Sequence, residues 1–157
     1  MTSPLYLLDT SILLHFARGR ELGRYIRSTF ELDSLVFRPL VSIVRHGEIW
    51  VLADRNRWDA EKRAECERIL QDVITEELGD QNILDAYVEL SRVAMEYPGG
   101  ARKLGDNDMW VAATAKAAQA ILLTTDRDFL IFHPDYFTIT YIDPAAFRAG
   151  GTARPKS

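Results

Sequence analysis

The amino-acid sequence predicts an α/β domain in which a parallel sheet is covered by helices on both faces. Short apolar runs of strand length alternate with segments of helical periodicity along the chain. These runs are continuously apolar, which is typical of strands buried on both faces of a parallel sheet. The 157 residues can bury one sizeable core. We therefore predict a single domain over residues 1–147 and a flexible tail over 148–157, which contains glycine, proline and lysine.

The predicted strands are short apolar runs, and turn-forming or charged residues follow several of them. Between residues 74 and 82 the pattern is ambiguous, and the sequence predicts either a short strand or only a loop there. The other strands are predicted at residues 5–8, 35–37, 121–124 and 138–142.

The predicted helices follow from apolar periodicity, from capping residues and from helix-breaking residues. Gly19 separates the first two helices, and Ser42 is a plausible N-cap of the third. The segment Pro98-Gly99-Gly100 ends a long helix. Helices are predicted at residues 10–17, 21–30, 43–56, 59–73, 83–96 and 107–118.

Composition and charge argue against several classes of protein. The apolar fraction of 47% and the charged fraction of 27% are those of an ordinary globular protein, and no apolar run reaches the length of a membrane span. No signal-peptide pattern opens the chain and Cys66 is the only cysteine, so we expect a cytoplasmic protein without an intramolecular disulfide. The net charge of −4 argues against binding nucleic acid by bulk charge alone.

Arginine side chains cluster after the first predicted helix, where Arg20, Arg24 and Arg27 are close in sequence. The planar fork of arginine suits phosphate groups, so these three residues are candidates for contacts with a nucleic-acid backbone. A cluster of this kind is also typical of the solvated face of a helix.

Two aspartates follow predicted strands. Asp9 comes directly after the first strand, and Asp126 comes after the strand at 121–124. Ligands of open α/β sheets bind outside the carboxyl ends of the strands, so both carboxylates face one crevice if these strands are neighbours. Alternatively, each aspartate caps the helix or turn that follows it.

Glu48 is the least ordinary residue of the third predicted helix. Helical spacing places it with Val44, Val51 and Leu52 on an apolar stripe that we expect to face the sheet. Burying an ionised carboxylate without a partner is costly, so Glu48 needs a cation, a proton or a functional role. A salt bridge to an arginine is the structural alternative.

Asp108 lies near the start of the alanine-rich helix, in line with its apolar residues Val111 and Ala115. Asp106 or Asn107 can cap this helix, and acids in a first turn favour the helix dipole. Capping does not explain why Asp108 is aligned with the buried face. Small alanine side chains also let the helix approach the sheet closely, which would bring Asp108 near the strand ends.

Four carboxylates from four segments, Asp9, Glu48, Asp108 and Asp126, are thus predicted to share one site. Like charges at close range favour a bound cation, and oxygen ligands suit Mg²⁺ or Mn²⁺. The sequence contains no cysteine and histidine set with zinc spacing and no glycine-rich phosphate loop. Oxygen-only metal sites serve phosphoryl transfer, which is the chemistry this pattern predicts.

The motifs around these acids carry a family resemblance. The segments LLDTSILL, SIVRHGEIWVLA, GDNDMWVAATA and LLTTDRDF occur in the order and approximate spacing of the PIN-domain ribonucleases. The sequence most resembles the VapC-type toxins of bacterial toxin–antitoxin pairs, over residues 5 to about 142. This resemblance implies a PIN-like three-layer fold, with a parallel sheet of about five strands between helices.

The resemblance also implies roles for individual residues. Asp9, Glu48, Asp108 and Asp126 form an acidic quartet that holds Mg²⁺ or Mn²⁺, with Asp9 and Asp108 as the principal ligands. The two threonines of the motifs match polar positions that line the pocket. The two flanking aspartates either tune the site or, in the interpretation we favour, cap turns. These further residues are Thr10, Thr124, Asp106 and Asp128.

For the whole chain, the resemblance implies a metal-dependent endoribonuclease that hydrolyses RNA, with tRNA or another structured RNA as a candidate substrate. It also implies a homodimer and a cognate antitoxin that lies across the active-site groove. Two alternatives stay open, a non-catalytic PIN-like module that binds RNA or protein, and a metal-dependent phosphohydrolase of a small phosphoester. Ser11 argues against the phosphohydrolase, which usually carries a second acid two residues after the first.

Overall fold

A five-stranded sheet forms the centre of the computed structural model, which describes residues 3–99 and 104–148. Every pair of neighbouring strands is parallel. The strands are β1 (Tyr6–Leu8), β2 (Leu40–Ser42), β3 (Ile74–Glu76), β4 (Ile121–Thr124) and β5 (Ile139–Tyr141). They lie in the order β3-β2-β1-β4-β5. The predicted fold class is therefore confirmed.

Helices connect the strands along the chain. Ser42 caps α3 as predicted, because its hydroxyl accepts a hydrogen bond from the backbone N–H of Val44 at 3.3 Å. None of the helices in the described ranges is long and apolar enough to cross a membrane. The α-helices are α1 (Thr10–Ala17), α2 (Glu21–Thr29), α3 (Ile43–Arg55), α4 (Ala60–Gln71), α5 (Gln81–Glu96), α6 (Asp106–Ala118) and α7 (Pro144–Arg148), and Leu32–Ser34 and Arg127–Phe132 form 3₁₀ helices.

Two apolar cores lie on opposite faces of the sheet, because successive side chains of a strand point in opposite directions. Leu8 and Leu123 pack in the core that α1, α2 and α4 cover. Leu7 and Leu122 pack in the core that α5 and α6 cover. Burial on both faces explains why the central strands are continuously apolar in sequence.

The structure corrects one predicted strand. Residues 35–37 are not a strand, since Val36 and Phe37 are 75% and 54% exposed, and β2 begins only at Leu40. The apolar composition of this segment predicts a strand, but apolar residues also occur on surfaces, so composition alone does not establish burial. The ambiguous region after residue 73 contains β3, and the N–H of its first residue donates to the carbonyl of Pro39 at 2.9 Å.

The C-terminal region contains a helix that the sequence did not predict. α7 ends at Arg148, the first residue of the predicted tail. Residues 149–157 lie outside the described residues, so the division into one domain and a flexible tail stays a prediction.

The strand order creates a crevice at the carboxyl ends of β1 and β4. From β1 the chain moves outward to β2 and β3 on one side, and then returns to form β4 and β5 on the other side. Open α/β sheets bind ligands at such a reversal between neighbouring strands. The strands that precede Asp9 and Asp126 are neighbours, so the condition for their carboxylates to face one crevice is met.

Candidate active site

The acidic quartet lies around the crevice at the ends of β1 and β4. Asp9 directly follows β1, and Asp126 follows β4 after one intervening residue. Glu48 lies on α3, and Asp108 lies in the first turn of α6. The backbone of Asp9 extends the strand pairing, because its N–H donates to the carbonyl of Leu123 at 3.0 Å.

Asp9 is a buried carboxylate, 4% exposed, whose two oxygens both accept hydrogen bonds. Oδ1 accepts from the backbone N–H of Thr10 at 3.0 Å and from Nε of Arg45 at 2.7 Å. Oδ2 accepts from Oγ1 of Thr124 at 2.7 Å. These bonds offset the cost of removing the carboxylate from water. Asp9 is also the N-cap of α1, so the capping interpretation and the site interpretation both describe it.

Arg45 joins three members of the quartet through separate nitrogens. Its side chain is buried, and besides Nε to Asp9, Nη1 donates to both oxygens of Glu48 at 2.9 and 2.8 Å. Nη2 donates to Oδ1 of Asp108 at 2.5 Å. Burial by itself lowers the pKa of Arg45. The charge of Asp9, the hydrogen bond to Asp108 and the charges of Glu48 and Asp108 outweigh this effect and raise the pKa above its ordinary value. The guanidinium therefore stays charged.

The structure also corrects the predicted orientation of α3. The helix buries Arg45, Ile49 and Ala53, whereas Val51 of the predicted stripe is exposed. Glu48 lies beside this buried face, with 30% of its side chain exposed. Single apolar residues are common on surfaces, so counting them did not determine which face of α3 is buried. The salt bridge considered for Glu48 exists, and its partner is an arginine three residues earlier that the sequence analysis did not single out.

Asp108 combines a capping bond with its bond to the arginine. Its Oδ2 accepts from the backbone N–H of Gly105 at 3.1 Å, and its side chain is 19% exposed. Gly105 is the N-cap of α6, so the predicted capping by Asp106 or Asn107 is wrong, and Asp106 is an exposed first residue of the helix. Asn107 instead donates from Nδ2 to Oε1 of Glu48 at 2.9 Å. The sequence predicts Asn107 only as a possible cap and does not predict this contact.

The two threonines singled out from the sequence contact the quartet. Thr10 donates from Oγ1 to Oε2 of Glu48 at 3.3 Å. Thr124 is fully buried, and its hydroxyl donates to Asp9 and accepts from the N–H of Asp126 at 2.9 Å. The Thr124 hydroxyl thus links the residues that follow β1 and β4.

Asp126 is the fourth member of the quartet, and the bonds that Arg45 makes to the other three acids do not include it. Its Oδ1 accepts from the backbone N–H of Asp128 at 2.9 Å, which caps the 3₁₀ helix. Burial raises the pKa of Asp126, and the negative charges of Asp128, Asp108 and Asp9 raise it further, although the bond from Asp128 opposes the change. The protonated form of Asp126 is therefore favoured relative to that of an exposed aspartate.

The three candidate phosphate-binding arginines belong to α2 and the residue before it. Arg20 is exposed at the N-cap position of α2. Arg24 donates from Nη1 to the carbonyl of Gly19 at 2.6 Å, and Arg27 pairs with Asp33 at 2.9 Å. Two of the three side chains therefore have protein partners at the surface.

The quartet has the ligand atoms that a hard divalent cation prefers, since all its donors are carboxylate oxygens. Within residues 3–99 and 104–148, however, no three acidic, histidine or cysteine side chains are grouped closely enough to hold a metal ion. The guanidinium of Arg45 instead lies between three of the carboxylates and bonds each through a different nitrogen. The residues fit Mg²⁺ or Mn²⁺ in donor chemistry, while their present arrangement is that of an arginine-bridged cluster.

Several crystal structures share this fold. A chain of VapBC2 from Rickettsia felis, bound to a DNA fragment from the promoter, superposes with a TM-score of 0.71 at 18% identity, over 88% of this chain and 99% of that chain. A chain of VapBC-1 from nontypeable Haemophilus influenzae gives 0.69 at 18% identity, over 87% and 97%. A chain of VapBC-5 from Mycobacterium tuberculosis gives 0.59 at 21% identity, over 88% and 98%. At these identities the likeness is one of fold.

A family model identifies the chain more directly than these superpositions do. No curated protein matches the sequence at a significant level. The model of the PIN domain, in contrast, matches residues 6–132, a region that contains the complete quartet and Arg45. The resemblance inferred from the four motifs is thus confirmed, and this chain belongs to the PIN domain family.

Proposed function

We propose that this protein is a divalent-metal-dependent endoribonuclease that hydrolyses phosphodiester bonds in RNA. The proposal rests on one observation, the placement of Asp9, Glu48, Asp108 and Asp126, from four segments, around one crevice of the sheet. A single guanidinium compensates three of these carboxylates, so the site keeps an excess of negative charge that attracts a hard cation. Membership of the PIN domain family supports a nuclease activity.

The four acids have different roles in this proposal. Asp9 and Asp108 are the principal metal ligands, and Glu48 and Asp126 bind the metal directly or through water. When bound, Mg²⁺ or Mn²⁺ supplies the positive charge that stabilises the phosphate in the transition state. Thr124 fixes the Asp9 carboxylate by donating to Oδ2, so the ligand is already oriented before a cation arrives.

We propose Arg20, Arg24 and Arg27 as contacts for the RNA backbone. Because the net charge of the protein is negative, RNA binding depends on such local positive charge. Arg24 and Arg27 would exchange the Gly19 carbonyl and the Asp33 carboxylate for phosphate oxygens. Replacing the three arginines should weaken binding to all RNA sequences alike and reduce its salt dependence. An unchanged salt dependence would identify them as ordinary surface residues.

We further propose that the protein is the toxin of a toxin–antitoxin pair and forms a homodimer. The support for the toxin role is that the structural neighbours include VapBC-5, a member of a family described as toxin–antitoxin systems. In this proposal a cognate antitoxin covers the crevice, and tRNA or another structured RNA is the substrate. Co-expression with the product of an adjacent small gene, followed by measurement of complex mass, tests the partner and the dimer together.

The nuclease proposal is tested by incubating metal-stripped protein with total RNA or a tRNA pool, with and without Mg²⁺ or Mn²⁺. Asp9→Asn is the test variant, because it removes one charge from the site and keeps the side-chain shape. Asp72→Asn is the matched control, because Asp72 is exposed at the end of α4. We expect discrete fragments that require both the metal and Asp9 and that the control variant still produces.

Other outcomes favour the two alternatives. Fragments that Asp9→Asn produces as well as the wild type would contradict the assignment. Absence of RNA cleavage, together with hydrolysis of a chromogenic phosphomonoester, would favour a phosphohydrolase. Absence of both cleavage and metal binding would favour a non-catalytic PIN-like module that binds RNA or protein.

A further inference from the structure

The buried guanidinium of Arg45 lies among three carboxylates of the acidic quartet. We propose that Arg45 is an internal counter-cation of the acidic site, and that a divalent cation binds only when this guanidinium leaves Asp9, Glu48 and Asp108. The inference rests on the proposed metal-dependent function. It assigns to Arg45 a role in setting the metal affinity of the site.

The hydrogen bonds show that the three carboxylates have no oxygen without a partner. Both oxygens of Asp9 accept bonds, as do both oxygens of Glu48. For Asp108, Oδ1 accepts from Arg45 and Oδ2 accepts from the backbone N–H of Gly105. A carboxylate oxygen can accept more than one bond, so neutral donors such as Thr124 do not exclude a cation. The Arg45 nitrogens differ from these donors, because they carry a positive charge and bond all three acids from the space between them.

The geometry of the guanidinium separates the acids that a metal would bring together. Mg²⁺ needs oxygen ligands at about 2.0–2.1 Å around a single point. The guanidinium instead holds its partners outside a planar fork, at 2.7 Å from Nε, 2.8 Å from Nη1 and 2.5 Å from Nη2. Because these nitrogens point in different directions in one plane, three carboxylates bound to them do not converge. This agrees with the lack of any three-residue metal group in the described part of the chain.

Charge and exposure make the exchange feasible. Arg45 contributes one positive charge against three carboxylates, whereas a divalent cation contributes two. The side of the cluster formed by Glu48 and Asn107 is partly open to solvent, which gives the long arginine side chain a direction in which to withdraw. Arg45 thus keeps the acids compensated in the metal-free protein and competes with the metal for them.

The first experiment follows Arg45 in the wild-type protein. The side-chain Nε–H signal of Arg45 is assigned in a ¹⁵N-labelled sample as the signal missing from Arg45→Gln. We expect slow exchange of this proton with solvent in EDTA, because Nε is buried against Asp9. At saturating Mg²⁺, with binding followed by calorimetry, exchange should accelerate to the rate of exposed arginines. Continued protection at saturation would overturn the inference, because it would mean that metal and arginine occupy the site together.

The second experiment compares Mn²⁺ binding by calorimetry in the full-length wild type, Arg45→Gln and a control. Arg68→Gln is the matched control, since Arg68 also pairs with a glutamate three residues away but is exposed. We expect Arg45→Gln to bind Mn²⁺ at least about tenfold more tightly than the wild type, because no side chain has to leave first. The control should match the wild type.

The outcomes separate this inference from the proposed function. Equal affinity of wild type and Arg45→Gln would overturn the role of Arg45 and leave the metal site in place. No metal binding by either protein would overturn the proposed metal-dependent function, and the inference with it. If Arg45→Gln does not fold, which circular dichroism detects, the proton-exchange measurement alone decides, with the Arg45 signal assigned by triple-resonance spectra of the wild type.

Discussion

The two halves of the acidic site compensate their negative charge in different ways. On one side, Asp9, Glu48 and Asp108 share a buried arginine and several neutral donors. On the other side, Asp126 has a backbone donor, and burial together with neighbouring carboxylates raises its pKa. The first half has a cationic partner for its charge, whereas burial and the neighbouring carboxylates disfavour the charge of Asp126 in the second half.

The difference teaches that a carboxylate cluster does not have to be a preformed metal site. Buried charges need a partner at all times, including before a ligand binds. Here one residue of the protein provides that partner for three of the four acids, and Thr124 couples the two halves through one hydroxyl. Substitutions on each side should therefore have effects of different size and, in one case, of opposite sign.

The largest effect is expected from Arg45→Met in the metal-free protein. Removing the guanidinium leaves three carboxylates without their shared partner, and loss of one member of a buried ion pair costs about 3–5 kcal/mol. Because Glu48 and Asp108 are partly exposed, we expect the lower end of this range. Urea unfolding in EDTA measures the loss, and Mg²⁺ should recover part of it.

Arg68→Met controls for the loss of an arginine as such. Its ion pair with Glu65 is exposed and screened by solvent, so its removal should lower the free energy of unfolding far less than Arg45→Met does. Equal effects of the two substitutions would contradict the view that Arg45 compensates the site.

A smaller loss of stability and a complete loss of cleavage are expected from Asp9→Asn. The asparagine removes one charged acceptor, but Arg45 keeps its bonds to Glu48 and Asp108. Since a hydrogen bond to a charged group contributes about 1.5–3 kcal/mol, the free energy of unfolding in EDTA should fall by that amount or less. Urea unfolding measures the loss of stability, and an RNA-cleavage assay on the same protein preparation measures the loss of activity. Cleavage at the wild-type rate would show that Asp9 is structural only.

The sequence predicted the acids of this comparison but not the arginine between them. Asp9 and Asp126 were recognisable because each follows an apolar strand, and the parallel order of the sheet then places β1 beside β4. Arg45 did have a sequence signal, since it precedes Ile49 and Ala53 at spacings of four residues on one helical face. The sequence also offered a second candidate for the buried face of α3, the apolar stripe through Val44 and Val51. Local sequence could not decide between the two faces, because burial of a helix face depends on the whole fold.

The sequence predicted the N-cap of α3 correctly but not the N-cap of α6. Ser42 was recognisable as an N-cap because its hydroxyl directly precedes a helical pattern. At α6 three polar residues compete for the first turn, and the chain uses Gly105 as the cap instead. This choice frees Asn107 to reach Glu48, a contact between residues 59 positions apart that no local rule predicts.

Thr124→Val tests the link between the two halves. The substitution keeps the shape of a fully buried side chain but removes the donor to Asp9 and the acceptor of the Asp126 N–H. We expect the free energy of unfolding to fall by about 1–2 kcal/mol, and metal affinity to fall as well, because Asp9 loses its orientation.

Thr114→Val is the matched control for this substitution. Thr114 is also buried, but its hydroxyl donates to the carbonyl of Trp110 within α6, away from the quartet. Its replacement should change stability and leave Mg²⁺ affinity, measured by calorimetry, as in the wild type. Equal metal affinities in the two valine variants would mean that Thr124 does not position the ligand.

The smallest effect, and the one of opposite sign, is expected from Asp126→Asn. The pKa of Asp126 is raised in the folded state, so the folded protein tolerates the protonated side chain better than the charged one. Stability is therefore lost as pH rises through the folded pKa and the side chain becomes charged. At neutral pH the metal-free variant should therefore be slightly more stable than the wild type, by about 1 kcal/mol or less because the site is partly open to solvent. Asparagine can still accept the N–H of Asp128, so the capping bond is kept.

Urea unfolding in EDTA across pH measures the difference, which should disappear below the ordinary aspartate pKa of about 3.9, where the wild-type side chain is neutral too. A variant less stable than the wild type at neutral pH would mean that the Asp126 charge is already compensated, and the contrast between the two halves of the site would then be lost.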